Sequence, residues 1–315
     1  MKFAKKLKIC YNTKPKEGVI MANIEEINRY YSAAIDYVEY LRNQGYELRK
    51  KEILLPSGES QYKDLHMALG NFSIEPEIYL CRKQVEEILY LVLTELKDIY
   101  GDSIDLEEIG NIHNMIRVTN GPNPFEGSYV EDSKNNERYF LFDRVDVLDS
   151  VPVVMHEGTH YLQNKFTTLE NGYHLEILPM LMEMITADRL SSELYDINLF
   201  KKNISNRFKT LKELILKQNE FAQINREQTG TMLEAKTGII KTYIDDLTYT
   251  YIVSFAYAYA LYRKYKFDPE YMLKNIRKVF TNYTSVDDLI SYYDISFKDP
   301  SIMVNIRKEM SLLKK

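Results

Sequence analysis

The sequence predicts a mainly α-helical chain with a small β-sheet near its middle. Two long stretches before residue 117 repeat apolar residues at helical spacing, residues 117–150 lose that period among turn-forming residues, and helix signals resume after Ser150. In "NIEEINRYYSAAIDYVEYLRNQG", Ile24, Ile27, Tyr31, Ile35, Val38 and Leu41 share one face, Asn23 and Glu26 have capping-box spacing, and Gly45 supplies a stop. "EPEIYLCRKQVEEILYLVLTELKDIYG" repeats the pattern through Val85, Ile88, Val92, Leu96 and Ile99, with Gly101 at its end. The segment "TNGPNPFEGSYVEDSKNNERYFLFD" predicts a hairpin in which residues 125–130 pair with residues 138–142 across the "DSKNN" turn. Later helix starts are marked by Asp268 before Pro269, by Ser285 with Asp288, and by Asp299 before Pro300. No repeat or linker divides the chain, so a helical region over residues 1–115 is expected to run on into residues 116–315 as one structural unit.

Composition narrows the partners. With 315 residues, 45% hydrophobic and 28% charged, the chain is in the globular range and long enough for a large core. The formal net charge of −5, with Lys and Arg scattered, leaves no electrostatic footprint for nucleic acid. The basic start, "MKFAKKLKICYNTKPKEG", lacks the apolar run of about 7–15 residues that a signal peptide needs, and no stretch approaches the roughly 20 apolar residues of a membrane span. A cytoplasmic location away from membranes is therefore expected. Cys10 and Cys81 lie too far apart in sequence to suggest a cysteine metal cluster, and two cysteines make no disulfide framework.

The chemistry concentrates in "HEGTH", residues 156–160. On a helix His156 and His160 sit about 40° apart, so both imidazoles can converge on one ion. Glu157, about 100° further round, is poorly placed as a ligand but can reach a water held by the metal. Zinc would lower the pKa of that water to about 7, Glu157 would take its proton, and the same metal would polarise the carbonyl under attack. Pro152 is compatible with a first helical turn, and Asp149 or Ser150 can cap it, so a helix should begin about one turn before His156. Gly158 inside that helix suggests close packing against a neighbouring backbone.

A catalytic zinc needs a third protein ligand and an open position. The metzincin pattern would require Gly at 163 and His at 166, where Gln163 and Phe166 stand, and this excludes that class. Glu170, His174, Glu176 and Glu183 are the remaining candidates; Glu170 falls in an expected turn, and His174 is better read as a packing or surface residue. Glu176 and Glu183, seven apart, lie about 20° from eclipsed on a second helix. One would bind the ion while the other accepts the outer N–H of a ligating histidine. Pro179 disturbs the turn containing Glu176, so helical geometry alone leaves the two roles open. Two further features bear on substrate. The strand at residues 139–142 offers an edge to which an extended peptide can add, and Gly127 in "FEGSY" would let a substrate backbone approach closely.

Taken together, "HEGTH", "LEILPMLMEM" and their surroundings resemble the oligoendopeptidase F and thimet oligopeptidase family of zinc metallopeptidases, as a shortened member. "FEGSYVEDSKNNERYFLFDRVDVLDSVPVVMHE" looks like the family's substrate-edge strand and its approach to the zinc helix, and "TYTYIVSFAYAYALYRKYKFDPEYM" looks like its tyrosine-rich helix; residues 115–315 carry the likeness. The resemblance implies a gluzincin-like helical domain over residues 116–315, with residues 1–115 covering a cleft. It also implies a peptide substrate, Zn2+ bound by His156, His160 and Glu176, and Glu183 orienting a ligand. Its tyrosine helix brings Tyr249, Tyr251, Tyr257 and Tyr259 into consideration for stabilising an oxyanion, with Tyr251 and Tyr257 preferred beside Glu157 as catalytic groups. Against that, 26 tyrosines and no tryptophan make packing the default role of any one of them. The chain departs from the family in a shorter interval between His160 and Glu176. It also has no histidine after His174, so Asp245 or Asp246 falls near the place of a family histidine.

Overall fold

A computed structural model describes residues 59–73, 81–118, 127–132, 135–142, 150–168, 173–190, 198–227 and 232–313. The expected helix over residues 23–45, Cys10, Glu170 and the start of the hairpin at Phe125 lie outside them, and of Asp245 and Asp246 only the helical backbone is described. The described residues form ten α-helices and one three-stranded sheet. In chain order they are α1 (Glu59–Gly70), α2 (Arg82–Tyr100), α3 (Leu106–Met115), β1 (Ile116–Val118), β2 (Gly127–Asp132), β3 (Glu137–Phe142), α4 (Ser150–Phe166) and α5 (Tyr173–Leu190). After these come α6 (Leu199–Glu227), α7 (Met232–Phe267), α8 (Pro269–Thr281), α9 (Val286–Tyr292) and α10 (Pro300–Leu313). Among the described residues no helix is long and apolar enough to cross a membrane.

Local chemistry accounts for the ends of these elements. Helix α2 buries Val92, Leu96 and Ile99 as its periodicity predicts, and stops where Gly101 turns to φ +54°. Its last carbonyls are not left bare: Arg277 of α8 donates to the carbonyls of Asp98 and Ile99, each at 2.6 Å. All three predicted late starts carry their caps. Asp268 accepts from the Tyr271 N–H, Ser285 and Asp288 close a capping box, and Asp299 accepts from the Ser301 N–H.

The sheet order is β1-β3-β2. Strands β2 and β3 pair antiparallel from Gly127 opposite Phe142 to Asp132 opposite Glu137, close to the expected hairpin. The addition is β1, which runs straight on from α3 and pairs parallel with β3 through Ile116 opposite Phe140 and Val118 opposite Phe142. This corrects the expectation for residues 139–142. Strand β3 is central and bonded on both sides, so it has no edge to offer; among the described residues the edge beside the "HEGTH" helix belongs to β2.

At the centre stands α5, buried on nearly every face from Ile177 to Ala187 and packed against α4, α6 and α7. It runs unbroken through Pro179, although proline cannot donate to the Leu175 carbonyl. Helix α4 is nearly as enclosed, with Pro152 in its first turn as predicted. Helices α1–α3 share the core with these elements, α2 against α4 and α8 and α1 against α6, so the described part of residues 1–115 is continuous with the rest.

Two glycines define how closely α4 is approached. A Cβ on Gly158 would meet Ile112 Cδ1 at 3.4 Å and Leu96 Cδ1 at 3.8 Å. Its neighbours are therefore side chains, not the backbone that the sequence suggests, and there is room for a methyl group. At Gly127 a Cβ would fall 2.6 Å from Val153 Cγ1 and 3.0 Å from Phe142 Cε1. Glycine there lets β2 close onto α4; the space is filled by the protein's own side chains and not by a substrate. Gly158→Ala is accordingly expected to raise the unfolding free energy by about 0.5–1 kcal/mol, and Gly127→Ala to lower it by about 1–3 kcal/mol, both read by chemical denaturation.

Candidate metal centre

Helices α4 and α5 pack together so that His156, His160 and Glu176 meet within a largely apolar core. His156 and His160, one turn apart on α4, bring their Nε2 atoms to 3.0 Å from each other. Glu176, in the first turn of α5, places Oε2 at 3.1 Å from His156 Nε2 and 3.4 Å from His160 Nε2. Yet this buried oxygen receives no aligned hydrogen bond from either ring. His156 Nε2, His160 Nε2 and Glu176 Oε2 thus face a common point, with no ring N–H aligned on the carboxylate. Among the described residues this is the group of His, Cys, Asp and Glu side chains able to hold a metal ion. A tetrahedral zinc with bonds of about 2.0–2.1 Å separates its ligands by about 3.3–3.4 Å. The observed separations lie close to those edges, and two imidazoles with a carboxylate suit zinc. The residues present fit the ion.

Charge follows from the same contacts. Burial alone would lower the His156 pKa, but the Glu183 and Glu176 carboxylates outweigh burial and push it up to about 10. Burial would raise Glu176, and the two imidazoles hold it instead well below the usual carboxylate range. Glu157 goes the other way. Its carboxyl is raised, first by burial and then by repulsion from Glu176, against the pull of both imidazoles and a hydrogen bond from the Tyr129 backbone. That last contact ties α4 to β2. In an antiparallel pair alternate residues turn their N–H and C=O groups away from the partner strand. Tyr129 is such a residue, and its N–H reaches Glu157; Gly127 and Glu131, two residues either way, share its orientation.

The two glutamates of α5 divide the work left open by their spacing. Glu176 joins the histidines, while Glu183 Oε1 lies 2.6 Å from His156 Nδ1, on the far side of the ring. The N–H is off line for an ideal hydrogen bond, but so short a separation inside the core pairs the two groups. Arg207 and Asn203 of α6 complete the arrangement. Arg207 Nη2 pairs with Glu183 Oε1, and Arg207 Nε and Asn203 Nδ2 each lie 3.3 Å from Glu183 Oε2. Neither residue is singled out by the sequence analysis. Their trace is faint: two polar residues four apart inside the apolar stripe of Ile204, Phe208 and Leu211.

The other candidates disperse. His174 turns to Asp287 of α9, Nε2 to Oδ1 at 3.1 Å, and is not a ligand. Tyr259 donates to Glu309 at 2.8 Å. Tyr257 is buried, stacks on Tyr173 with centroids 5.8 Å apart, and shares a hydrogen bond with the Phe297 backbone. Tyr249 is buried against Tyr62, and its hydroxyl has no hydrogen-bond partner among the described residues. Tyr251 is half-buried against the core. Between Tyr251 and Tyr257, Ser254 donates to the Tyr173 carbonyl at 2.6 Å, so this side of α7 lies against the turn of α5 that carries Glu176.

Comparison of the chain with protein-family models, with curated proteins and with solved structures found no match.

The raised pKa of His156 has a measurable consequence. Free imidazole titrates near 6.5, so in the metal-free protein the pairing with the two carboxylates contributes fully to stability below about pH 6.5 and fades as pH rises through about 10. A metal ion must displace that proton. Zinc affinity is expected to rise by up to about tenfold per pH unit between about pH 6 and 8, with about one proton released per ion in calorimetric titrations using two buffers of different ionisation enthalpy. Constant affinity over that range would contradict a protonated His156.

Proposed function

We propose that the chain is a zinc-dependent metallopeptidase that hydrolyses peptide bonds in oligopeptides or unfolded segments, a gluzincin-like relative of the oligoendopeptidase F and thimet oligopeptidase family working in the cytoplasm. His156, His160 and Glu176 would hold the ion. When bound, it supplies Lewis acidity, which acidifies a water and polarises a peptide carbonyl. The rest is the work of this chain. Glu183 fixes the ring of His156. Glu157, buried beside the cluster with its pKa raised by burial, takes up a proton from the water on its carboxylate and passes it to the leaving amine. Strand β2, the sheet edge beside α4, aligns an extended peptide through main-chain hydrogen bonds. Tyr251 or Tyr257, on the side of α7 nearest Glu176, steadies negative charge on the substrate oxygen.

Glu157 is the observation that carries this reading. A site built only to bind a metal has no use for a further buried carboxyl beside it, one that feels the charge of both imidazoles and of Glu176 and has its pKa raised by burial. The test is cleavage of a mixed peptide library by the wild type and by Glu157→Gln. A loss of about 10²–10⁴-fold is expected in the variant, with zinc content by elemental analysis unchanged. If both forms bind zinc and neither cleaves, the chain is a non-catalytic peptide- or metal-binding relative.

A further inference from the structure

Glu183 can hold His156 in one orientation only if Glu183 is itself held. Its side chain is 1% exposed, so solvent does not restrain it, and a lone carboxylate there could turn about its terminal bond. Both oxygens are instead bound from one side. Arg207 spans them with Nη2 on Oε1 and Nε on Oε2, and Asn203 adds a second donor to Oε2. The oxygen that Arg207 Nη2 grips is the one that faces His156 Nδ1.

We propose that Arg207 is a positioning residue of the metal centre: its guanidinium fork on α6 fixes the Glu183 carboxylate and, through it, the plane of the His156 ring. Arg207 thereby sets the affinity for the ion without touching it. This rests on reading His156, His160 and Glu176 as a metal site. Stability is a poor explanation for the arginine. A buried ion pair is often matched or bettered by apolar side chains of similar volume, and Arg207 sits among Ile204, Phe208 and Leu211, where such a side chain would pack. What an apolar side chain cannot do is hold two oxygens at once. Lysine cannot do so either, because its ammonium is a single point of charge.

The test strips the full-length protein of metal and measures three quantities for the wild type, Arg207→Lys and Arg207→Gln. They are zinc affinity by competition with a chromophoric chelator, the visible absorption of the Co2+-loaded form, and melting of the metal-free form. Zinc binding is expected to weaken about 10–100-fold in the variants, the size usual for losing an outer partner of a ligating histidine. The Co2+ bands should shift or lose intensity, while metal-free Arg207→Lys melts close to the wild type. Wild-type affinity with an unchanged Co2+ spectrum in Arg207→Lys overturns the proposal, whatever happens to melting. The Lys variant decides the matter even if Arg207→Gln fails to fold. Absence of zinc binding by the wild type itself would instead overturn the metal reading, and this proposal with it.

Discussion

Everything distinctive in this structure depends on the packing of α4 against α5, which crowds two imidazoles and a carboxylate into a largely apolar interior. Charged and polar groups removed from water are tolerated only when each is compensated. The compensation here is layered. Glu176 faces both rings, Glu183 meets the back of one ring, and Arg207 with Asn203 balances Glu183. Three successive helices, α4, α5 and α6, are thereby tied together by polar contacts as well as by apolar packing. The remaining helices and the sheet surround that axis.

Much of this was legible because it is local. Four-residue and seven-residue spacings on helices place His156 with His160 and Glu176 with Glu183 directly, and the Asp, Ser and Pro signals before α8, α9 and α10 act within one turn of themselves. The hairpin of β2 and β3 is also local, set by its turn and by the alternation of Phe140 and Phe142 towards the core. Which of the two carboxylates joins the histidines was not local. Spacing put Glu176 and Glu183 on one face; only the direction from which α4 approaches distinguishes the near carboxylate from the far one.

Long-range pairings account for the rest. Strand β1 has three residues, too few to show a period, and its parallel partner lies more than twenty residues on. That unseen strand is what makes β3 central and leaves the edge to β2. Arg207 and Asn203 act on a glutamate of the preceding helix, and nothing in their own surroundings announces it. The tyrosines of α7 illustrate the opposite difficulty. A segment so rich in one residue type offers many equivalent phenols, and the fold separates them by packing: Tyr259 goes to Glu309, Tyr257 to Tyr173 and Phe297, and Tyr249 to Tyr62.

Glu176 and Glu183 stand about 10 Å apart along the axis of α5, yet their carboxylates reach opposite nitrogens of a single ring. The helix therefore works as a caliper whose two jaws are set by residue count. Exchanging one apolar residue for another between the jaws leaves their gap unchanged. Adding or deleting a single residue there would swing one jaw by about 100° and close or open the gap by about 1.5 Å, so the stretch from Ile177 to Met182 is constrained in length more strictly than in composition.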